Sequence, residues 1–296
     1  MSDGSGAPAL RCLARLRDQR LVSASGLRRL DLELPRPLRF APGQFAMVNL
    51  TGPGARVFAR PFSILASEGT VVSLLYRVVG GGTGDFAAAP AGTTVTWLGP
   101  LGRPFPPPTG PEPHLLLAGG VGLPPLLAWR ARHGGPDDLA CFGARDVGDV
   151  PWELLSPDWQ VAVDTPGPTP IGRTVAHGTV VARAVALLAA GGAPSAGARR
   201  MLACGPLPML RAAATLAVAR GWPCLVSVEE RMGCGYGVCR GCVVPAHGGG
   251  WLTACQDGPV LEARELDWDR FGHRGGDLGV SGAPGGCGCD APEARS

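Results

Sequence analysis

Four cysteines constrain this chain more than any other feature: Cys234, Cys239, Cys242 and Cys255. They read C-x4-C-x2-C across EERMGCGYGVCRGCVV, with the fourth cysteine after twelve intervening residues, in CQDGPV. One tight loop and one separate segment must bring four sulfurs to a common centre. This is the plant-type spacing for a [2Fe–2S] cluster. Gly233, Gly235, Gly237 and Gly241 remove side chains from the loop. The backbone can then curl and aim N–H groups at the sulfurs. Such N–H groups stabilise the reduced centre and raise its potential. Structural zinc is the alternative, but zinc ribbons usually present two C-x2-C pairs, and here the first pair is C-x4-C.

The other cysteines lack this pattern. Cys12, Cys141, Cys204 and Cys224 are scattered in apolar surroundings, and Cys287 and Cys289 fall in a glycine-rich tail. The chain has 296 residues, 45% of them hydrophobic, with a net charge of +3 and not one lysine. A lysine-free chain has no P-loop lysine and no Schiff-base lysine. No basic stripe with interleaved aromatics points to nucleic acid. The N-terminus has no apolar core of a secretory signal. The best apolar run, from His114 to Trp129, is interrupted by three glycines and two prolines and is too short to span a bilayer. A cytoplasmic protein without membrane contact is expected. Neither G-x-S-x-G nor H-E-x-x-H occurs, and the histidines lack metal or triad spacing.

Hydrophobic periodicity divides the chain. Residues 8–108 show short alternating runs (LELPRPLRF, QFAMVNL, VFARPFSIL, TVVSLLYRVV, TTVTWLG) separated by turn residues, predicting an antiparallel β-barrel. Residues 112–228 alternate buried-strand runs with helical segments (PPLLAWRARH, DVPWELL, TVVARAVALLAA, LPMLRAAATLAVARG), predicting an α/β domain with a parallel sheet. Residues 229–268 form a small Cys/Gly lobe. Residues 269–296 lack apolar periodicity and read as a disordered tail.

Two barrel segments carry candidate binding residues. In Arg60-Pro61-Phe62-Ser63, the arginine can hold a pyrophosphate bidentately, the aromatic can stack on a ring system, and the serine can bond a ring nitrogen. Leu75-Tyr76-Arg77 ends a strand, and a glycine run through Gly82 to Thr83 follows. A glycine turn ending in Thr can cap a helix that faces phosphate. Together they suggest a flavin dinucleotide site; a barrel with a plain glycine loop is the other reading. In the α/β domain, a strand ends at Gly119-Gly120-Val121-Gly122 before Pro124 and Pro125, a phosphate-binding context. A later strand ends at Cys204-Gly205-Pro206, at the sheet edge where ligands bind.

These segments, in this order, resemble the electron-transfer subunits of class 1B dihydroorotate dehydrogenases, in the ferredoxin-reductase superfamily. The resemblance spans roughly residues 10–266 and rests on RPFS, LYRVVGGGT, LGPLG, GGVGLPPLL, CGPLPM and the cysteine loop. It implies FAD at Arg60, Pro61, Phe62, Ser63, Leu75, Tyr76 and Arg77, with Gly82 and Thr83 at its pyrophosphate. It implies NAD at Gly119, Gly120, Gly122, Cys204, Gly205 and Pro206. Cys234, Cys239, Cys242 and Cys255 would be the cluster ligands. The implied partner is an FMN-containing catalytic subunit that oxidises dihydroorotate in pyrimidine biosynthesis, in a heterotetramer with two of each chain. Residues Tyr236 to Arg240 would dock it. The runner-up is the reductase subunit of a hydrogenase or of an NAD(P)H:ferredoxin oxidoreductase. One stretch departs from the family: VDTPGPTPIGRTVAHGTV keeps Asp164 and Thr165 where relatives carry an Asp-Gly-Ser loop, but adds three prolines. Arg145 is a candidate for choosing between NADH and NADPH.

Overall fold

A computed structural model describes residues 8–272, apart from residue 53 and residues 191–198. The first six strands are β1 (Leu10–Leu21), β2 (Leu27–Glu33), β3 (Phe45–Leu50), β4 (Arg60–Glu68), β5 (Val71–Arg77) and β6 (Thr94–Leu101). They close into an antiparallel barrel in the order β1-β2-β5-β4-β3-β6, with helix α1 (Gly81–Ala88) between β5 and β6. Alternation places Leu30, Leu32, Val48, Ile64, Leu74 and Trp97 inside. The run LELPRPLRF is strand only as far as Glu33, because Pro35 and Pro37 cannot continue the ladder.

The second unit contains β7 (His114–Gly119), α2 (Leu123–His133), β8 (Leu139–Asp146), β9 (Gln160–Thr165), β10 (Val175–His177), α3 (Val180–Ala189), β11 (Arg200–Cys204), α4 (Leu207–Arg220) and β12 (Cys224–Ser227). After it come β13 (Val243–Pro245), β14 (Trp251–Thr253) and β15 (Val260–Glu262). The sheet order is β10-β9-β8-β7-β11-β12-β15. All its pairs are parallel except β12 with β15. The last strand of the cysteine lobe is thus the edge of the central sheet. Instead of the helix expected at DVPWELL, there are two single 3-10 turns, Val147–Asp149 and Trp152–Leu154, divided at Pro151. The expected tail lies, from His273 onward, outside the described residues.

The parts share cores. Leu27 and Leu75 of the barrel pack with Leu126, Phe142, Val147 and Val150 of the α/β unit. Arg77 at the end of β5 bridges to the buried Asp149 at 2.6 Å. Cys242, Val244 and Cys255 belong to one apolar cluster with Phe45 and Met47 of the barrel and Leu117 and Val226 of the sheet. The cysteine lobe therefore stands where barrel and sheet meet. No helix among the described residues is long and apolar enough to cross a membrane.

Candidate metal centre and nucleotide clefts

The chain leaves β12, forms the cysteine loop, and returns through the β13–β14 hairpin to the turn carrying Cys255. Two hydrogen-bond sets fix this turn. Ala254 N–H donates to the Cys242 carbonyl at 2.8 Å. Asp257 accepts from Thr253 N–H at 2.7 Å and from the Thr253 hydroxyl at 2.8 Å. Gly235 has φ +83, and a Cβ there would stand 2.8 Å from Met47 Sδ and 3.3 Å from Leu101. The loop rests directly on β3 and β6, and only glycine permits that approach.

Backbone amides do point at sulfur. Cys234 Sγ accepts from Cys239 N–H at 3.4 Å and Tyr236 N–H at 3.5 Å; Cys255 Sγ accepts from Gly237 N–H at 3.2 Å. The thiols act on one another: Cys234 with Cys239, and Cys255 with Cys242 and, less strongly, with Cys234. Cys242 and Cys255 are buried; Cys234 is half-buried and Cys239 exposed. Burial opposes ionisation of Cys234, but the N–H groups of Cys239, Tyr236 and Val238, with the Cys239 thiol, outweigh it and bring the group down to about 6. Cys255 goes the other way: burial and the neighbouring Cys242 push it up to about 12. A coordinated cation reverses this, since it deprotonates its thiol ligands outright. Among the described residues no three His, Cys, Asp or Glu side chains converge as ligands of one ion. The amides aimed at the Cys234 and Cys255 sulfurs favour added negative charge there, as a redox cluster takes on.

At the barrel rim, the Arg60 guanidinium lies over Gly82, where a Cβ would come within 2.7 Å of Arg60 Cζ. Helix α1 begins at Gly81, earlier than the expected cap: Thr83 is its third residue, and its hydroxyl accepts from Val79 N–H at 2.9 Å and Gly80 N–H at 3.3 Å. Pro61 and Ser63 sit half-buried on the outer face of β4. Phe62 is the residue expected to stack on a ring system. Its ring is buried in the barrel, edge-on to Tyr76 at 5.8 Å and to Phe86 at 5.5 Å. Tyr76 likewise points inward and donates its hydroxyl to Gln19 Oε1 at 2.8 Å. Leu75 and Arg77 turn outward, but into the domain interface. Strand pleating explains the split: successive residues face opposite sides, so a contiguous motif cannot present every side chain to one ligand. The side chains of Phe62 and Tyr76 lie in the barrel core, and those of Leu75 and Arg77 in the contact with the α/β unit.

The two glycine turns of the α/β unit form one surface. Strands β7 and β11 are parallel neighbours, with Ala118 opposite Cys204. A Cβ on Gly122 would lie 2.5 Å from the Cys204 carbonyl carbon and 2.6 Å from Gly205 N; one on Gly119 would meet Pro206 at 3.0 Å and Met209 Sδ at 2.7 Å. Gly205, at φ +159, has Gly119 Cα 3.1 Å from its would-be Cβ. Gly120, at φ +53, faces open space. Burial, with Glu229 nearby, raises the Cys204 thiol far above its ordinary range, so it stays protonated. Arg145 is largely exposed and reaches Asp149 at 3.7 Å. The proline loop 166–170 lines a second cleft, of about 990 Å³, with Asp146, Val147, Trp152 and the β1–β2 turn.

Comparison with known proteins follows the same lines. A profile of the iron–sulfur cluster binding domain of dihydroorotate dehydrogenase B matches residues 229–267. The electron transfer subunit of dihydroorotate dehydrogenase B (NAD(+)) from Geobacillus kaustophilus is 35% identical over 236 residues, covering 76% of this chain and 86% of that one. The chain belongs to the family of these electron transfer subunits. The family member from Desulforamulus reducens is 30% identical over 258 residues, covering 81% of this chain and 92% of its own. Among solved structures, an NADH-dependent reduced ferredoxin-NADP oxidoreductase superposes with a TM-score of 0.71 at 22% identity, over 88% of this chain and 91% of that one. The ferredoxin reductase of carbazole 1,9a-dioxygenase superposes at 0.61 with 21% identity, over 73% and 67%. Both share the fold: a closed barrel followed by a nucleotide-binding sheet.

Two residues of this family member have no role assigned from the sequence, Glu229 and the Met209 that ends CGPLPM. Glu229 lines a cleft of about 550 Å³ with Gly205, Pro206, Leu210 and Trp251. It is reachable from that cleft yet surrounded by protein, and burial raises its pKa. Met209 fills the space under Gly119 and Gly205. A lone carboxylate or methionine carries no spacing signal; only the approach of β11 to β12 gives them a place.

Proposed function

We propose that this chain carries electrons between NAD and a catalytic subunit that converts dihydroorotate to orotate. FAD exchanges hydride with the nicotinamide and single electrons with a [2Fe–2S] cluster, and so joins two-electron to one-electron chemistry. The observation that carries the reading is the placement of the cysteine loop. Its inner thiols share a core with β3 of the barrel and with the sheet that bears both glycine turns.

The chain's own residues have distinct tasks in this reading. Cys234, Cys239, Cys242 and Cys255 hold the cluster, and the amides of Tyr236, Gly237 and Cys239 favour added negative charge on it. Arg60 and the first turn of α1, at Gly82 and Thr83, hold the pyrophosphate, with Pro61 and Ser63 beside the flavin ring. Phe62, Leu75, Tyr76 and Arg77 keep that rim in place from behind. Gly119, Gly120, Gly122, Cys204, Gly205 and Pro206 form the floor for the nicotinamide dinucleotide. Tyr236 and Val238 are exposed beside the outer thiols, where the FMN-containing partner docks. We place the protein in the cytoplasm, as one chain of a heterotetramer.

The test is reconstitution. The purified chain should show flavin and cluster absorbance and reduce a dye with NADH, but oxidise no dihydroorotate. Mixing with the catalytic subunit of a dihydroorotate dehydrogenase should produce dihydroorotate-driven NAD reduction. A preparation that is colourless after cofactor reconstitution, or one that forms no complex and confers no such activity, would defeat the reading.

A further inference from the structure

Beside Arg60 stands a second arginine that no sequence motif singles out. Arg56 lies in the loop before β4, its carbonyl held by Asn49 Nδ2 at 2.6 Å. Its Nε donates to Asp85 Oδ2 at 2.5 Å, and Asp85 is on α1. With Nε so engaged, the outer end of the guanidinium stands over Gly81. A Cβ at Gly81 would lie 2.8 Å from Arg56 Cζ and 3.2 Å from Nη1. Arg60 does the same over Gly82, at 2.7 Å from its Cζ. Two guanidinium groups thus cover the first two residues of one helix, and both are glycines with no side chain in the way.

We infer that Arg56 is the second guanidinium of the FAD pyrophosphate site and sets its preference for a dinucleotide flavin. The inference rests on the reading of this rim as the FAD site. The argument is one of charge and geometry. The pyrophosphate of FAD carries two negative charges. Arg60 supplies one positive charge, and the α1 N-terminus about half of another. Its first N–H groups have no partners within the helix and face the same place. Arg56 can add to this because its exposed pairing with Asp85 is weak in water, and, with Nε turned back to Asp85, its outer Nη groups stand at Gly81 for phosphate oxygens, as a planar fork does. Asp85 acts as a positioning residue: it touches Arg56, not the ligand. Arg56 and Asp85 are both solvent-exposed, with side chains 46% and 44% accessible, so their pairing is easily reshaped by a stronger anion.

The test titrates the apoprotein with FAD, FMN and riboflavin and reads the quenching of flavin fluorescence. Arg56→Ala should weaken FAD about 10-fold, a step worth one charge-assisted contact. It should leave riboflavin, which has no phosphate, unchanged. Its FAD affinity should also fall less steeply with added salt than that of the parent. Arg56→Lys should recover part of the loss. Unchanged FAD affinity in Arg56→Ala, while Arg60→Ala loses about 10- to 150-fold, would overturn this inference and leave the FAD site standing. Equal losses for FAD and riboflavin would also overturn it, by showing a structural role. If neither arginine matters, the assignment of the rim itself falls.

Discussion

A methyl group on Gly122 should separate binding of cofactors from their reduction by nicotinamide. In Gly122→Ala the new Cβ would lie 2.5 Å from the Cys204 carbonyl carbon and 2.6 Å from Gly205 N. Ordinary contacts of such atoms are at about 3.5 Å or more. Both partners are backbone at the end of β11, so no side chain can swing away. The two turns must part by about 1 Å to restore ordinary contact. Overpacking of this kind costs about 1–3 kcal/mol, which lowers the melting temperature by roughly 2–10 °C in a chain of this size. The functional effect is larger, because a displacement of about 1 Å at a reacting centre reduces its rate on the order of 100-fold. The assay is anaerobic stopped-flow reduction of the bound flavin by NADH, with flavin content and cluster absorbance as controls. Both controls should stay near those of the parent, since Arg60 and the cysteine loop are elsewhere. Reduction at the parental rate would refute the reasoning: either the turns do not form the nicotinamide floor, or their packing yields without displacing it.

Cys239→Ser should remove the cluster and leave FAD bound, because the exposed outer thiol and the rim residues Arg60 and Gly82 belong to separate segments; absorbance spectra and flavin-to-protein ratio check it. Tyr236→Asp should weaken association with the catalytic subunit by on the order of 2 kcal/mol or more, read on a sizing column, with cluster absorbance retained; Tyr236 is 54% accessible and free to meet a partner. Asp138→Asn should destabilise the fold by about 1–3 kcal/mol, because the carboxylate accepts from His114 N–H at 2.6 Å and Gly135 N–H at 2.8 Å. Burial opposes its ionisation, but these bonds and His114 outweigh it and hold its pKa below the ordinary value. A depressed carboxylate stabilises above its unfolded pKa, near 4, and loses that contribution as pH falls through the lower folded value. The gap between parent and Asp138→Asn should therefore be full at pH 6 and shrink below about pH 4, as denaturation at several pH values would show.

What could be read in the letters, and what could not, divides along the pleat of the strands. The cysteine spacing and the glycine turns are local in sequence and translate directly into loops. Apolar β-rich runs bounded by turn residues, such as QFAMVNL and TVVSLLYRVV, appear as β3 and β5. The barrel's first strand is harder to read: within LRCLARLRDQRL only Ala14 and Leu16 are buried, and arginines crowd the outer face. Contiguous motif residues do not share a face: Phe62 turns into the core while its neighbours Pro61 and Ser63 do not, and Arg77 goes to Asp149, a residue 72 positions away in an unrelated turn. Arg56 and Glu229 gain meaning only from tertiary neighbours, Asp85 and Gly81 for one and the Gly205 cleft for the other.

The same packing bears on how electrons pass between centres. A relay works at a useful rate only if its carriers keep short and constant separations. A small Cys/Gly lobe with three strands of three residues each has little core of its own. Tethered by a flexible linker, it would wander. Here β15 is hydrogen-bonded to β12 as the edge of the nucleotide-binding sheet, and Gly235 sets the cysteine loop onto Met47 of the barrel. Arg103 N–H also reaches the Gly258 carbonyl at 2.6 Å, joining the chain after β6 to the turn before β15. The inner thiols are therefore fixed to both neighbours at once, and the buried ion pair of Arg77 and Asp149 fixes those neighbours to each other. Three mutual anchors leave no single hinge about which one centre can swing away. Of the four cysteines of the loop and its return turn, Cys242 and Cys255 are buried while Cys234 and Cys239 lie toward solvent, so the side of the outer pair is the one open to a partner.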